Sequence, residues 1–234
     1  MSSEQTNPGP NEQLMSQWKL SRILPEDLSI TDELEAGKPV LKITLKPGDM
    51  AERDADGNIT SERAEITENG EPVPPGTDIW YGFSFCIPKD FKIDDNRLVI
   101  AQWKQPSSGS QNPGSPFLSY RYQGGKIIAQ IVIDESVGGL EEESRRVKFK
   151  SSGLERGVWH RIVTNYQLDE NNMGHCEFVV DGEVIGKYVG KMGYQHLPKE
   201  GTYFKMGLYR DPQEYSQSIY FDKFSRGTSA DSLS

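Results

Sequence analysis

Apolar and polar positions alternate along most of this chain in short runs. KPVLKITLKPG, ERAEIT, DIWYGFSFCIP, LVIAQWKQ, FLSYRYQ, KIIAQIVID, RRVKFKSS, VWHRIVTNYQL, HCEFVVDGEVIGKYV, YFKMGLYR and SIYFDKFS are short, rich in β-branched and aromatic residues, and bounded by turn residues. The pattern predicts about a dozen strands. Gly124-Gly125 and Asp181-Gly182 join consecutive runs as tight hairpins, so neighbouring strands should run antiparallel. Helical periodicity is scarce. LPEDLSITDELEAG has room for a short helical turn, and no amphipathic segment is long enough for parallel crossovers. The expected fold is all-β, a single two-sheet antiparallel sandwich of the jelly-roll type over residues 17–228. A flexible polar arm (1–16) and a flexible tail (229–234) are expected at its ends.

Composition agrees. A length of 234 residues suits one sandwich-sized domain, and 23 Gly with 14 Pro match a fold of many turns. The formal charge is −9, from 26 basic and 35 acidic residues, so a nucleic-acid partner is not expected and an anionic ligand must meet a local cationic cleft. No apolar run approaches the ~20 residues of a membrane-crossing helix, so no membrane partner is expected. Cys86 and Cys176 are expected to pack as unpaired thiols. DADGNITSE lacks the full spacing of a calcium loop and reads as a hairpin tip. Glu141, Glu142 and Glu143 beside Arg145 and Arg146 read as a solvated loop edge.

The nucleophile elbow, the Walker loop and the dinucleotide fingerprint are all missing. Glu62 and Glu65 stand three apart in one strand and so face opposite ways, which disfavours the paired carboxylates of a glycoside hydrolase. β-Elimination on a uronic-acid polymer needs something else: neutralisation of the C5 carboxylate, removal of the C5 proton, and protonation of the departing O4. Three runs supply such groups at strand spacing. ERAEI sets Arg63 and Glu65 on one face, where Glu65 can orient the Arg63 guanidinium toward a carboxylate. LVIAQWKQ sets Gln102 and Lys104 on one face. YFKMGLYR sets Tyr203, Lys205 and Tyr209 opposite Phe204, Met206 and Leu208, with Arg210 at the strand end. Arg121 in FLSYRYQ is a further subsite candidate, His160 reads as structural, and Trp80, Trp103 and Trp159 read as core.

From ERAEI onward the chain resembles the heparin lyase I-like polysaccharide lyases, which include glucuronan lyases, and more distantly the β-jelly-roll alginate lyases. WYGFSFCIPKDF, IAQWKQ, PFLSYRYQGGKI, GVWHRIV, EFVVDGEVIGKY, YFKMGLYR and IYFDKF carry the resemblance in order, IAQWKQ and YFKMGLYR most specifically. It implies a concanavalin-like jelly roll whose concave sheet binds an acidic polysaccharide. Gln102 would neutralise the carboxylate with help from Arg63, and Tyr203 would act on the sugar as base or acid. Tyr209 would be a reserve phenol. Lys205 would hold substrate carboxylates or lower the phenol pKa, with Glu65, Arg121 and Arg210 alongside as substrate-binding residues. Relatives often carry His where this chain has Lys104, so the base role passes to Tyr203 or Lys104, or activity is lost and a non-catalytic carbohydrate-binding jelly roll remains. The resemblance also implies a structural calcium, with Asp222 as candidate ligand, and no catalytic cofactor. Glucuronan is the first-choice substrate, heparin and alginate follow, and a monomer is expected. The N-terminus shows no signal-peptide pattern, yet a secreted or periplasmic location is expected, with a cytoplasmic one left open.

Overall fold

The computed structural model describes residues 10–106, 115–134, 144–194 and 200–233; His196 and Glu141–Glu143 lie outside them. A short helix, α1 (Pro10–Ser16), opens the described chain. The strands follow as β1 (Trp18–Arg22), β2 (Leu28–Thr31), β3 (Val40–Leu45), β4 (Glu52–Arg53), β5 (Ile59–Glu68), β6 (Ile79–Cys86), β7 (Leu98–Lys104) and β8 (Leu118–Gln123). After them come β9 (Lys126–Ile133), β10 (Arg145–Gly153), β11 (Trp159–Leu168), β12 (Met173–Val180), β13 (Glu183–Lys191), β14 (Tyr203–Arg210) and β15 (Gln217–Gly227). They form two antiparallel sheets, the jelly-roll sandwich predicted. One runs β1-β5-β14-β7-β8-β9-β10 with β4 paired to β5, the other β13-β12-β11-β6-β15-β3-β2.

The core fills the space between the sheets because each strand turns its apolar alternate positions inward. β14 contributes Phe204, Met206 and Leu208, β6 contributes Tyr81, Phe83 and Phe85, and Trp103 packs edge-on to Tyr81 at 5.4 Å. Both cysteines are buried and unpaired. The predicted hairpin tips are present, with Gly124, Gly125, Asp181 and Gly182 all at positive φ.

Several expectations at the edges change. The arm is docked from residue 10 onward: Leu14 and Met15 pack against the core, and Asn69 donates to the carbonyls of Ser16 and Gln17. The tail is held too, since a 3-10 turn spans Ala230–Ser232 and Arg161 Nη2 donates to the Leu233 carbonyl at 3.0 Å. Trp159 is exposed. Trp18 is buried against Phe224.

Arg210 requires correction as a substrate-binding residue. Strand alternation turns it to the same side as Phe204, Met206 and Leu208, and it is 1% exposed. Its guanidinium is held by Glu62 Oε2 at 3.0 Å, Gln217 Oε1 at 3.0 Å and the Tyr215 carbonyl at 2.7 Å, while Gly48 N donates to Glu62 Oε1. The pair closes one end of the sandwich. Removing one member of a buried pair strands the other charge, so Arg210→Ala is expected to lower stability by roughly 3–5 kcal/mol. Urea unfolding checks this, with Glu62→Gln in the same chain recovering part of the loss.

Candidate active site

The three polar runs come together because β14 lies between β5 and β7. Register pairs Tyr203 with Lys104, Lys205 with both Gln102 and Thr67, Gly207 with Glu65, and Tyr209 with both Arg63 and Val99. Partners in register share a face, so Arg63, Glu65, Gln102, Lys104, Tyr203, Lys205 and Tyr209 stand together on the side of the sheet away from the core. Arg121 joins them from β8, opposite Val99.

All of these side chains but Glu65 line a cleft of about 500 Å³ with Arg22, Glu52 and Arg97. Six basic side chains face one acidic side chain there, in a protein of net charge −9. Sequence reasoning missed these last three. A β-bulge between Lys19 and Arg22 hides the parity of Arg22, Glu52 sits in a two-residue strand, and Arg97 precedes its strand by one residue.

Glu65 does not line the cleft. It is 1% exposed, its Oε1 accepts a hydrogen bond from Gln102 Nε2, and its Oε2 lies 3.7 Å from Arg63 Nη1. A carboxylate open to a polyanion would repel it, so Glu65 is a support that fixes the Gln102 amide and the Arg63 guanidinium, and not a substrate contact. Arg63 also pairs with Glu52 at 2.6 Å, and Tyr209 is stacked between Arg63 at 4.2 Å and Arg97 at 4.6 Å. Tyr209 thereby spaces two guanidiniums.

The Lys104 ammonium forms no hydrogen bond or ion pair with any described residue. Burial, and then the neighbouring Lys205 ammonium, lower its pKa to about 8. Burial also lowers Lys205, whose Nζ lies 6.0 Å from the Tyr203 ring centroid. Burial foremost, followed by the Glu65 carboxylate, raises Tyr203 above the ordinary phenol value. The expectation that Lys205 lowers the Tyr203 pKa is therefore overturned. The geometry sets a weakened lysine beside a phenol that keeps its proton, with an amide and a guanidinium a strand away.

The calcium expectation meets a poor donor set. Asp222 Oδ1 accepts from Lys223 N, Arg161 acts on it electrostatically, and no group of three metal-binding side chains occurs among the described residues. His160 is held between Asp181 and the Glu155 carbonyl, at 2.7 Å each, in a structural position.

Comparison with known proteins bears on the fold and the family. No curated protein matches the chain. Among solved structures, an endo-β-1,4-glucuronan lyase from the fungus Trichoderma reesei superposes with a TM-score of 0.68 at 18% identity, covering 88% of each chain. Alginate lyase A1-II′, of polysaccharide lyase family 7, superposes at 0.62 with 12% identity, covering 88% of this chain and 85% of that one. Alginate lyase vAL-1 from Chlorella virus superposes at 0.54 with 16% identity, covering 87% and 89%. The protein-family model for polysaccharide lyases matches residues 13–225, which shows that this chain belongs to the polysaccharide lyase family and is a lyase acting on polysaccharides.

Proposed function

We propose that the enzyme cleaves a polyuronate within the chain by β-elimination, with glucuronan as substrate. The observation that carries the reading is the register pair of Lys104 and Tyr203, one weakened as an acid-base cation and the other held as a neutral phenol. Side chains so paired have Cβ atoms about 4.5–5.5 Å apart, close enough to reach adjacent atoms of one sugar. Lys104 in its neutral form takes the C5 proton, the C–H electrons form the C4=C5 double bond, and O4 departs with the proton of Tyr203. The Gln102 amide and Arg63 stabilise the charge that spreads onto the C5 carboxylate. Lys205 and Arg121 hold neighbouring carboxylates.

Charge favours glucuronan, and stereochemistry suits it. In a glucuronate unit, as in a mannuronate unit but not a guluronate unit, the C5 hydrogen and O4 lie on the same side of the ring, and acid and base here come from the same side. The cleft presents enough cations for one carboxylate per sugar without the density a heavily sulfated chain calls for. A cleft open along the sheet takes internal segments, which fits endo action.

Incubation with glucuronan, alginate and heparin in turn, monitored by ultraviolet absorbance of the unsaturated uronate, tests the reading. A rise on glucuronan alone is expected, and a rise confined to another polymer replaces it as substrate. Tyr203→Phe is expected to abolish turnover without loss of fold, and Gln102→Ala to lower kcat roughly 10²-fold or more.

The base assignment predicts a pH profile. Turnover should rise with pH through about 8 as Lys104 loses its proton, and Lys104→His should move that limb below the ordinary histidine value near 6.5, since the same burial and the same cation act on it. The same shift weakens the fold. Lys104 binds its proton less tightly folded than unfolded, so the penalty is fully present below pH 8 and fades as pH rises toward the free-lysine value. Lys104→Met should therefore raise the melting temperature at about pH 7 and raise it less above about pH 10, while turnover disappears.

A further inference from the structure

The cleft does not end at β8. The register continues from Gln102 through Ser119 on β8 and Gln130 on β9 to Lys148 on β10, and a parallel row runs from Val99 through Arg121 and Ile128 to Lys150. Arg146 is two residues further along β10, on the same face. The other face of this edge strand is apolar, since Val147 and Phe149 pack against the core and Phe149 meets Phe178 at 5.8 Å. All three cations are exposed, and none forms an ion pair with a described residue.

We propose that Arg146, Lys148 and Lys150 form an anion-binding rail that continues the cleft to the sheet edge and holds carboxylates of the polyuronate several sugars from the scissile bond. This rests on the polyuronate reading above. Four strand steps separate β14 from β10, about 19 Å at ordinary strand spacing, so a polymer lying across the strands at the cleft reaches the rail. Arg146 is near enough to Arg121 to act on it electrostatically, which ties the edge to the cleft. Between them, Ser119 Oγ and Gln130 Oε1 are buried and without hydrogen-bond partners. Buried polar atoms call for a partner, and a polyol chain or its bridging water supplies one.

Lysines on an edge strand also guard against strand pairing between molecules, and that role alone requires no ligand. Polymer binding separates the two. In a Tyr203→Phe background, which leaves polymer uncut, calorimetry with long glucuronan or alginate is compared with and without Arg146→Ser, Lys148→Ser and Lys150→Ser together. Affinity for the long polymer should fall roughly tenfold, with a shallower dependence on salt, while affinity for a trisaccharide of the same polyuronate, measured alongside, changes little. Lys148→Glu alone should act in the same direction, and thermal melts establish that each variant is folded. Equal affinity for every polyuronate with and without the substitutions, or an equal loss for trisaccharide and polymer, overturns the rail. If the unsubstituted enzyme yields unsaturated ends from none of the polyuronates but the substitutions still weaken long-chain binding selectively, the rail stands and the proposed reaction fails.

Discussion

The hydrogen bond from Gln102 to Glu65 spans an intervening strand, β14, which lies close against β5 because residue 207 is a glycine. Position 207 lies between Lys205 and Tyr209, in register with Glu65, and a Cβ there would run into the β5 backbone at Ala64 and Glu65. The backbone adds its own requirement. Gly207 has φ +140°, and a Cβ there would come within 2.2 Å of the Ala64 carbonyl oxygen. The glycine thus lets β14 lie close to β5, and a buried carboxylate reaches across it. Glu65 in turn fixes an amide on one side and a guanidinium on the other, the two groups proposed above to meet the substrate carboxylate.

The remaining charges follow from that arrangement. Glu65 is spent on Arg63 and Gln102, so Lys104 and Lys205 stand without a carboxylate at ion-pair distance among the described residues. Each is held half-desolvated beside the other, which burdens the folded state and makes both ready for an anion. The opposite end of β14 shows what the fold does when a cation has no ligand to wait for: Arg210 is sealed with Glu62 and two further acceptors. One strand carries both solutions, on opposite faces.

Much of this was legible in the sequence, because alternation in a strand is a local rule. It grouped Arg63 with Glu65, Gln102 with Lys104, and Tyr203 with Lys205 and Tyr209, and the structure keeps each group on one face. Applied one residue further, the same rule turns Arg210 inward; its charge alone suggested a surface role. Strand order was less accessible. Nothing in YFKMGLYR states that it lies between ERAEI and IAQWKQ, since that neighbourhood joins segments far apart in the chain. The bulge before Arg22 and the tiny strand at Glu52 break the local pattern that would reveal cleft residues. Burial also decides what composition cannot: Trp159 is exposed and Trp18 buried because of where their strands end up in the sheets.

Lysine at position 104 is not simply a poor histidine. An imidazole held in the same desolvated, cation-rich position would be pushed below its already low pKa and become a weaker base. An amine starts much higher, and the same burial and the same Lys205 bring it only to about 8, where it is part neutral near neutrality and still more basic than imidazole. In the elimination proposed above, the lysine ends with a proton and the tyrosine without one, and the two face each other in register. The raised phenol pKa drives the proton back from Lys104 to Tyr203, so the pair resets without a third group. Burial, which makes Tyr203 a reluctant phenolate and Lys104 a reluctant cation, therefore favours both the starting state and the return to it.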